Sequence, residues 1–519
     1  MNKVKYVFLF FAVFLFSVTV NEYNIYLIKK STSYTPEVNS KSLVFNETIF
    51  SIDNEYYLSP VENFLKSNEW KRSPGIGDGD YFRRTPGYSL IYLSFVKPFG
   101  FQIGHLFIKY FQELLFSLSA CFFFFINLYY YKSKFLAITL TLIYSFFPFF
   151  SVWTSYTLTE AITPMLIVSY LFIVLKAYTH TNHLVKISLY VLASFLVTFL
   201  TLTRPYTAIS GLILLVYFFN DYNYVLAVSV NKFLYKAALI SLFPIIMIGS
   251  WTIRNYVLTS ELVVLEKAFH PQSLDRMKPE FEGMLNFSKC WGEDGAFFNT
   301  YYQPLYTAAL KGDTSSIYIR NVLSSWPKEI ISEYGYTSLY SVIKIHQEVL
   351  YKQKIFFDKQ IAMPSNYLPE QVLVKEKYNE LIKSYKKKHF FSYWFISPIV
   401  YLKRMIFHSN TAHIFFFQEE HRNNVIFNII RFSMFIIHVL VYFALFFNLF
   451  FLKRSIHKIA IVYLPILFIL FFSVFHREIE QRYMLPVLPI IIIGLGFTIN
   501  YLSRLMFSKS FVNNDLHKN

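Results

Sequence analysis

Long apolar stretches recur along the chain, and most are close to the length that crosses a bilayer as a helix. A hydrocarbon core about 30 Å thick requires roughly 20 largely apolar residues per helical span. About ten such windows follow one another, which predicts an all-α polytopic membrane protein. The candidate spans are residues 5–20, 105–130, 135–150, 161–178, 185–201, 206–219, 237–253, 425–451, 459–475 and 484–503.

Two polar stretches interrupt this pattern. They are a loop at 21–104 and a soluble-like segment at 257–424, so we predict an amino-terminal transmembrane module over 1–256 and a carboxy-terminal one over 425–519. The second stretch contains "PEQVLVKEKYNELIKSYKKK", which is typical of an amphipathic helix that ends in a basic run. Two shorter apolar stretches, 88–100 and 392–407, are too short or too charged for spans, and we expect both to lie in the membrane interface.

The basic residues predict the orientation of the spans. With the amino terminus inside, every short basic loop falls on the cytoplasmic side, as the positive-inside rule requires, and both polar stretches fall outside. The first apolar stretch follows lysines as in a signal peptide, but it lacks a small-x-small cleavage site, so we expect an uncleaved first span. The cytoplasmic loops are "YKSK" at 131–134, 176–186, 232–236, "KRSIHK" at 453–458 and the tail from Arg504.

Composition narrows the class of protein. The chain has 519 residues, of which 55% are hydrophobic and 21% aromatic, and this excludes an ordinary soluble enzyme. Its net charge of +17 is not gathered beside a nucleic-acid recognition motif, so a membrane surface explains the charge better than nucleic acid does. Cys121 and Cys290 lie in unlike segments, and we predict neither a structural disulfide nor a thiolate metal site.

Several ionisable residues fall at the predicted outer ends of spans, where they are costly and are therefore functional candidates. Each arginine alone could be a snorkelling anchor or the partner of a nearby carboxylate. Together, with few outer carboxylates expected, the arginines predict an electropositive cavity suited to a phosphate at the lipid boundary. The residues are Asp53, Arg83, Arg84, Glu160, Arg204, Arg254, Glu478, Glu480 and Arg482.

Motifs around these residues carry a family resemblance. Asp53 precedes Tyr57 in an Asp-x-x-x-Tyr pattern, and "RTPGYSLIYLSFVKPFG", "TE", "LTRP", "WTIRNY" and "E-x-R-Y-x-L-P" follow in order. This combination resembles the GT-C superfamily of polyprenyl-phosphate-sugar glycosyltransferases, in particular the branch of lipid A aminoarabinose transferases and protein O-mannosyltransferases. The resemblance covers residues 1–256 and 476–503 and leaves 257–424 unmatched. It implies a bundle of about 10–13 transmembrane helices with interfacial helices and a mainly helical outer-face segment.

The resemblance also implies roles for individual residues. Asp53 is expected to be the catalytic base, with Glu55 or Asp80 as alternatives, and its structural alternative is a solvated or helix-capping aspartate. No cofactor is required by this chemistry. The expected ligands of the donor phosphate are Arg84, Arg204, Arg254 and Arg482. The expected cavity-lining residues are Tyr57, Tyr88, Glu160, Asn255, Glu480 and Tyr483.

The triplet Asp78-Gly79-Asp80 has two interpretations. It resembles the DxD motif with which soluble nucleotide-sugar transferases hold a divalent metal, but nucleotide sugars are cytoplasmic and this loop is predicted outside. Asp-Gly pairs also form turns. We therefore favour a turn that directs "YFRR" towards the membrane, and a metal held by Asp78 and Asp80 stays the alternative.

The predicted function is that of a multi-pass glycosyltransferase in the cytoplasmic membrane. It would transfer a sugar from a polyprenyl-phosphate donor to a glycolipid, envelope polysaccharide or protein on the outer face. One alternative is a polysaccharide polymerase or ligase that uses lipid-pyrophosphate-linked glycans. A transporter or flippase for lipid-linked sugars is disfavoured, because transporters place charges at mid-membrane whereas these gather at span ends. No motif indicates which sugar or which acceptor is used.

Overall fold

The protein is helical throughout the part of the chain that the structure describes. The only strand-like feature there is an isolated bridge between Ile49 and Tyr156. The predicted all-α polytopic class is therefore confirmed. The structure, a computed structural model, describes residues 3–30, 48–49, 51–72, 81–273, 276–293, 298–359, 361, 363–364, 366, 368–407, 414–453, 455–477 and 480–515.

The helices fall into three groups along the chain. The first group is α1 (Lys3–Lys30), α2 (Glu55–Ser67), α3 (Gly87–Tyr131), α4 (Lys134–Phe146), α5 (Pro148–Ser151), α6 (Thr163–Thr179), α7 (His183–Thr203), α8 (Gly211–Val228), α9 (Val230–Phe243) and α10 (Gly249–Thr259). The second is α11 (Pro279–Ser288), α12 (Gln303–Lys311), α13 (Ser316–Ser325), α14 (Lys328–Tyr334), α15 (Tyr336–Asp358), α16 (Pro369–Lys388) and α17 (Ser397–Phe407). The last is α18 (Val425–Phe451), α19 (Ile456–Lys458), α20 (Leu464–Leu470) and α21 (Leu488–Asp515).

Eight helices in the described residues are long and apolar enough to cross a membrane, or nine if a bent pair forms one span. This is fewer than the ten or more that the sequence predicts. The eight are Val7–Lys30, Gly87–Tyr131, Thr159–Thr179, His183–Thr203, Val230–Thr259, Val425–Phe451, Ile456–His476 and Leu488–Leu505.

Two of the predicted spans differ in the structure. The predicted span 135–150 bends by 48° between α4 and the helix that follows, because Phe147 precedes Pro148 and adopts an extended conformation. The predicted span 206–219 begins in a 3₁₀ turn, Pro205–Ser210, and becomes α-helical only at Gly211. Hydropathy does not detect the first break, because Phe147 and Pro148 lie inside apolar sequence.

The long element α3 is a hairpin of two antiparallel arms. Gly100 separates them with φ 74° and ψ 172°, a conformation that glycine adopts without the Cβ penalty of other residues. Across the hairpin, Tyr92 Oη lies 3.1 Å from His105 Nε2, and the rings of Phe99 and Phe107 are 4.7 Å apart. The stretch 88–100 is thus a helix distinct from the span that follows, as expected. Its fold-back on that span was not predicted, and its position in the interface stays a prediction.

The segment between α10 and α18 has a hydrophobic core of its own. That core extends from Phe281 to Tyr393 and includes buried positions of α11, α12, α15 and α16. The predicted amphipathic helix is confirmed as α16, and residues 392–407 are helical, as a π turn (Ser392–Ile396) followed by α17.

Arg477 forms hydrogen bonds that connect this segment to the end of the Ile456–His476 span. Its guanidinium donates to the carbonyls of Lys289 (3.1 Å) and Tyr393 (2.8 Å), and it lies 3.7 Å above the centre of the Tyr393 ring. These contacts place α11 beside the ends of the spans, where a cavity forms.

Candidate active site

A cavity of about 630 Å³ lies where the first loop, the ends of several spans and the start of the 257–424 segment meet. One wall is charged, and another is made of phenylalanines from the end of the Ile456–His476 span. The lining residues are Asp53, Tyr57, Arg84, Leu158, Glu160, Thr203, Arg204, Pro205, Tyr206, Ile209, Glu266, Ala268, Phe269, Met277, Leu285, Asn286, Lys289, Phe471, Phe472, Phe475, His476, Arg482 and Tyr483.

Asp53 enters the cavity from a short 3₁₀ turn, Ile52–Asn54, before α2. The Ser51 hydroxyl accepts from the Asp53 amide (3.3 Å) and caps this turn. Next in the chain, the buried Asn54 side chain donates to the Thr157 hydroxyl at 2.5 Å. The turn is therefore fixed against the loop that carries Glu160.

Glu160 and Arg204 form a buried ion pair. Glu160 lies in the 3₁₀ turn that precedes α6, and its side chain is only 1% exposed. Arg204 ends α7 in an extended conformation, which is expected of a residue before proline, and its guanidinium contacts Glu160. The charge of Arg204 is therefore compensated although the residue is buried.

Arg482 joins these two elements to the last span. It lies in the 3₁₀ turn Gln481–Met484, and its Nη1 donates to Asp53 Oδ2 at 2.6 Å and lies 3.4 Å from Glu160 Oε1. Its Nε contacts Glu480. One guanidinium thus contacts three carboxylates from three distant parts of the sequence.

The network keeps its members charged. Burial by itself would raise the pKa of the Asp53 carboxyl, but Arg482, assisted by Arg84 and Arg204, holds that pKa below its ordinary value. Burial likewise disfavours the Arg482 charge, yet Glu160 and the other carboxylates around it raise the pKa of its guanidinium well above the ordinary value. Asp53 is therefore an ionised acceptor, as a general base must be, although its basicity is reduced.

Arg84 lies on another part of the cavity wall. Its Nη1 is 3.7 Å from Glu266 Oε1, and its Nε is buried without a hydrogen-bond partner. Burial opposes the charge, but Tyr57, Glu266 and Asp53 raise the pKa of the Arg84 guanidinium above its ordinary value. Arg84 therefore has donor capacity that the protein does not satisfy.

The structure thus brings together Asp53, Arg84, Arg204 and Arg482 among the residues predicted from sequence. Tyr57, Glu160 and Tyr483 also line the cavity, and Glu480 reaches it through Arg482. The expectation of few carboxylates is not met, because each of the three arginines lies within 4 Å of a carboxylate.

Five further predicted residues lie away from the cavity lining. Arg83 donates to the Ser273 hydroxyl at 3.2 Å. Glu55 pairs with Arg72 at 3.5 Å, and Tyr88 donates to Gln112 at 2.8 Å inside the α3 hairpin. Arg254 and Asn255, on α10, bond to backbone carbonyls of neighbouring loops.

Asp78 and Asp80, together with Glu478, fall outside the described residues. Within the described residues, no group of three or more His, Cys, Asp or Glu side chains is placed to hold a metal ion. The metal alternative for the triplet therefore stays a prediction.

Sequence reasoning missed several cavity residues. Glu266, Lys289 and Asn286 come from the segment that matched no motif, and His476 ends a span. Tyr206 alone had a signal, because it follows the "LTRP" motif; its hydroxyl accepts from Arg204 Nη1 at 2.7 Å.

Comparisons with known proteins give a distant likeness. No protein-family model and no curated protein match the chain. Two solved structures resemble it, each with a TM-score of 0.32: ArnT from Cupriavidus metallidurans in the apo state and the same protein bound to undecaprenyl phosphate. The apo structure is 13% identical over 87% of this chain and 73% of the ArnT chain; the bound structure is 12% identical over 95% and 78%. Because the identity and TM-score are this low, the functional argument rests on the cavity itself.

Proposed function

We propose that this protein is an integral membrane glycosyltransferase that uses a polyprenyl-phosphate-linked sugar. The sugar would pass to a glycolipid, an envelope polysaccharide or a protein on the outer face of the cytoplasmic membrane. The amino terminus and the short basic loops would lie inside, and the loop at 21–104 and the segment at 257–424 outside.

The observation that carries this proposal is the pairing of two unlike walls in one cavity. One wall holds Asp53, Arg482, Glu160 and Arg204, and each of these residues contacts the next in that order. Another is apolar and includes Phe475, a residue that is 73% exposed near the end of a span. An amphiphile with an anionic head and a hydrocarbon tail is complementary to both walls at once.

The geometry supports a simple displacement. Asp53 would take the proton from the acceptor hydroxyl while that oxygen attacks the anomeric carbon. The bond from that carbon to the phosphate oxygen breaks, and the lipid phosphate leaves with the electron pair. Arg204, Arg482 and Arg84 would stabilise the charge that develops on the phosphate. Water then removes the proton from Asp53 and restores the carboxylate.

The experiment is transfer of a radiolabelled sugar by purified protein in lipid nanodiscs. Polyprenyl-phosphate sugar, lipid-pyrophosphate-linked glycan and a nucleotide sugar are offered separately, and release of the lipid phosphate is measured with and without acceptor extract. We expect turnover with the first donor only. Turnover with the pyrophosphate donor alone would instead indicate a polymerase or ligase, and translocation without bond cleavage would indicate a transporter.

Two variants make this assay specific. Asp53→Asn should reduce turnover by roughly a hundredfold or more, the usual contribution of a general base. Folding should persist, because Arg482 keeps its contacts with Glu160 and Glu480. The matched control is Asp358→Asn, at an aspartate that is 51% exposed and pairs with Lys354 on α15. Full turnover by Asp53→Asn would assign the base to another residue.

A further inference from the structure

Arg254 is committed to the protein backbone. Its Nη1 donates to the carbonyl of Tyr81 (2.6 Å) and to Asn255 Oδ1 (2.9 Å), and its Nη2 donates to the carbonyl of Trp70 (2.7 Å). The guanidinium also lies 4.6 Å from the centre of the Trp251 ring. A planar fork can reach two carbonyls in this way, whereas an ammonium acts as a single point charge.

The two carbonyls belong to the first loop. Trp70 follows α2, and Tyr81 begins the chain that leads to Arg84. Phe82, the residue after Tyr81, is fully buried. By holding the Tyr81 carbonyl, Arg254 fixes the backbone three residues before the cavity arginine.

The same end of α10 holds a second chain segment. The Trp251 indole donates to the Leu265 carbonyl (2.7 Å), the Thr252 hydroxyl to that of Val264 (3.1 Å), and the Asn255 amide to that of Val263 (2.9 Å). The residue after Leu265 is Glu266, the ion-pair partner of Arg84.

The two segments are joined to each other as well. The Lys267 amide donates to the Phe82 carbonyl at 3.3 Å, and Arg84 and Glu266 then face each other at the cavity wall. Side chains of the motif "WTIRN" therefore bond to the backbone of both segments that carry the Arg84–Glu266 pair, all from one end of α10.

We infer that Arg254 is a positioning residue: it places Arg84, with Asn255 and Trp251 placing Glu266, and it does not itself touch the donor phosphate. The part of this inference that concerns the donor rests on the proposed function. The part that concerns the placement of Arg84 does not.

A double-mutant cycle tests the donor part. Arg84→Ala, Arg254→Ala and the double variant are compared for their donor KM and for their affinity for undecaprenyl phosphate in nanodiscs. We expect each single variant to weaken binding by about tenfold, the loss typical of one charged hydrogen bond. The double variant should bind undecaprenyl phosphate no more weakly than Arg84→Ala does, because Arg254 can affect binding only by positioning a side chain that Arg84→Ala has already removed. Multiplication of the two effects, to about a hundredfold, would overturn the inference and make Arg254 a direct phosphate ligand.

Hydrogen–deuterium exchange tests the placement without any substrate. Arg254→Ala should accelerate amide exchange in peptides that cover 81–86 and 263–267, and leave those that cover 157–161 unchanged. The exchange rates of Arg254→Lys should lie between those of the wild type and Arg254→Ala, since the lysine ammonium acts as a single point charge. Arg320→Ala, at an exposed arginine of α13, is the control.

The two readouts separate the possible failures. Wild-type protein that binds no undecaprenyl phosphate would refute the proposed function, while the exchange result would still decide the placement. Unchanged exchange at 81–86 in Arg254→Ala would refute the placement, whatever the activity.

Discussion

The substitution Gly87→Ala probes a close approach between two helices that serve the cavity. A Cβ at Gly87 would lie 2.6 Å from the carbonyl carbon and oxygen of Leu202 and from the amide nitrogen of Thr203. These are backbone atoms, so no side chain can rotate away. Ordinary contact begins at 3.4 Å, and the start of α3 and the end of α7 must therefore separate by about 0.8 Å.

The displacement has two consequences. Overpacking of this kind costs typically about 1–3 kcal/mol, so the unfolding midpoint should fall. Arg204 lies two residues beyond Leu202 and would move with the end of α7 relative to Asp53. Since a misplacement of about 1 Å can reduce a rate on the order of a hundredfold, sugar transfer should fall further than the stability loss explains.

Both quantities are measured on the same nanodisc preparation, as the thermal unfolding midpoint and as the initial rate of transfer. The matched control is Gly249→Ala, at a helical glycine where an added Cβ meets no atom within 4 Å. That variant should be unchanged or more stable by about 0.5–1 kcal/mol, because alanine favours helix. If Gly87→Ala keeps both the wild-type midpoint and the wild-type rate, the close approach of α3 to α7 is wrong.

Three further predictions concern the Glu160–Arg204 pair, the Asp53 carboxylate and the helical stretch at 392–407. Glu160→Gln leaves the buried Arg204 without its carboxylate and should destabilise the protein by roughly 3–5 kcal/mol in chemical denaturation. The control Glu370→Gln, at an exposed pair with Lys352, should have little effect on stability. Equal stabilities of the two variants would contradict a buried Glu160–Arg204 pair. The pKa of Asp53 is lowered, so its contribution to stability is complete above the unfolded pKa of about 3.9 and is lost as pH falls through the lower folded value. Transfer should therefore show no acid limb from Asp53 between about pH 5 and 8 in a pH–rate profile, and a limb in that range whose midpoint shifts in Asp53→Glu would refute this. The fluorescence of Trp394, which is exposed with Phe391 and Ile399 on the helical stretch predicted to lie in the interface, should be quenched by brominated lipid, and Trp394→Phe should show less quenching than the wild type.

Particular residues show how far sequence reasoning reaches into the site. Residues 185–201 are predicted as a span with Arg204 just beyond its end, and α7 does end at Thr203, because the residue before Pro205 leaves the helical conformation. "WTIRNY" predicts an arginine near a span end, which is correct, but not what that arginine contacts. The cavity is lined by Arg84, Arg204 and Arg482. The Arg254 guanidinium instead donates hydrogen bonds to the carbonyls of Trp70 and Tyr81.

The sequence by itself determined the helical spans and the kinds of charged residue at their ends. The physical reason is local: lipid requires about 20 apolar residues with internally satisfied backbone, and a charge is tolerated only near the boundary. Hydropathy alone also leads to errors: the bend before Pro148 lies inside apolar sequence, so the pattern predicts one continuous span there.

Tertiary structure decided which charges meet. Asp53 and Arg482 are 429 positions apart, and Glu266 and Lys289 come from a segment with no motif. Such contacts depend on how helices and loops pack against one another, and packing couples residues whose sequence neighbourhoods contain no information about each other. The site is therefore a product of the fold, assembled from residues that the sequence could identify only by type.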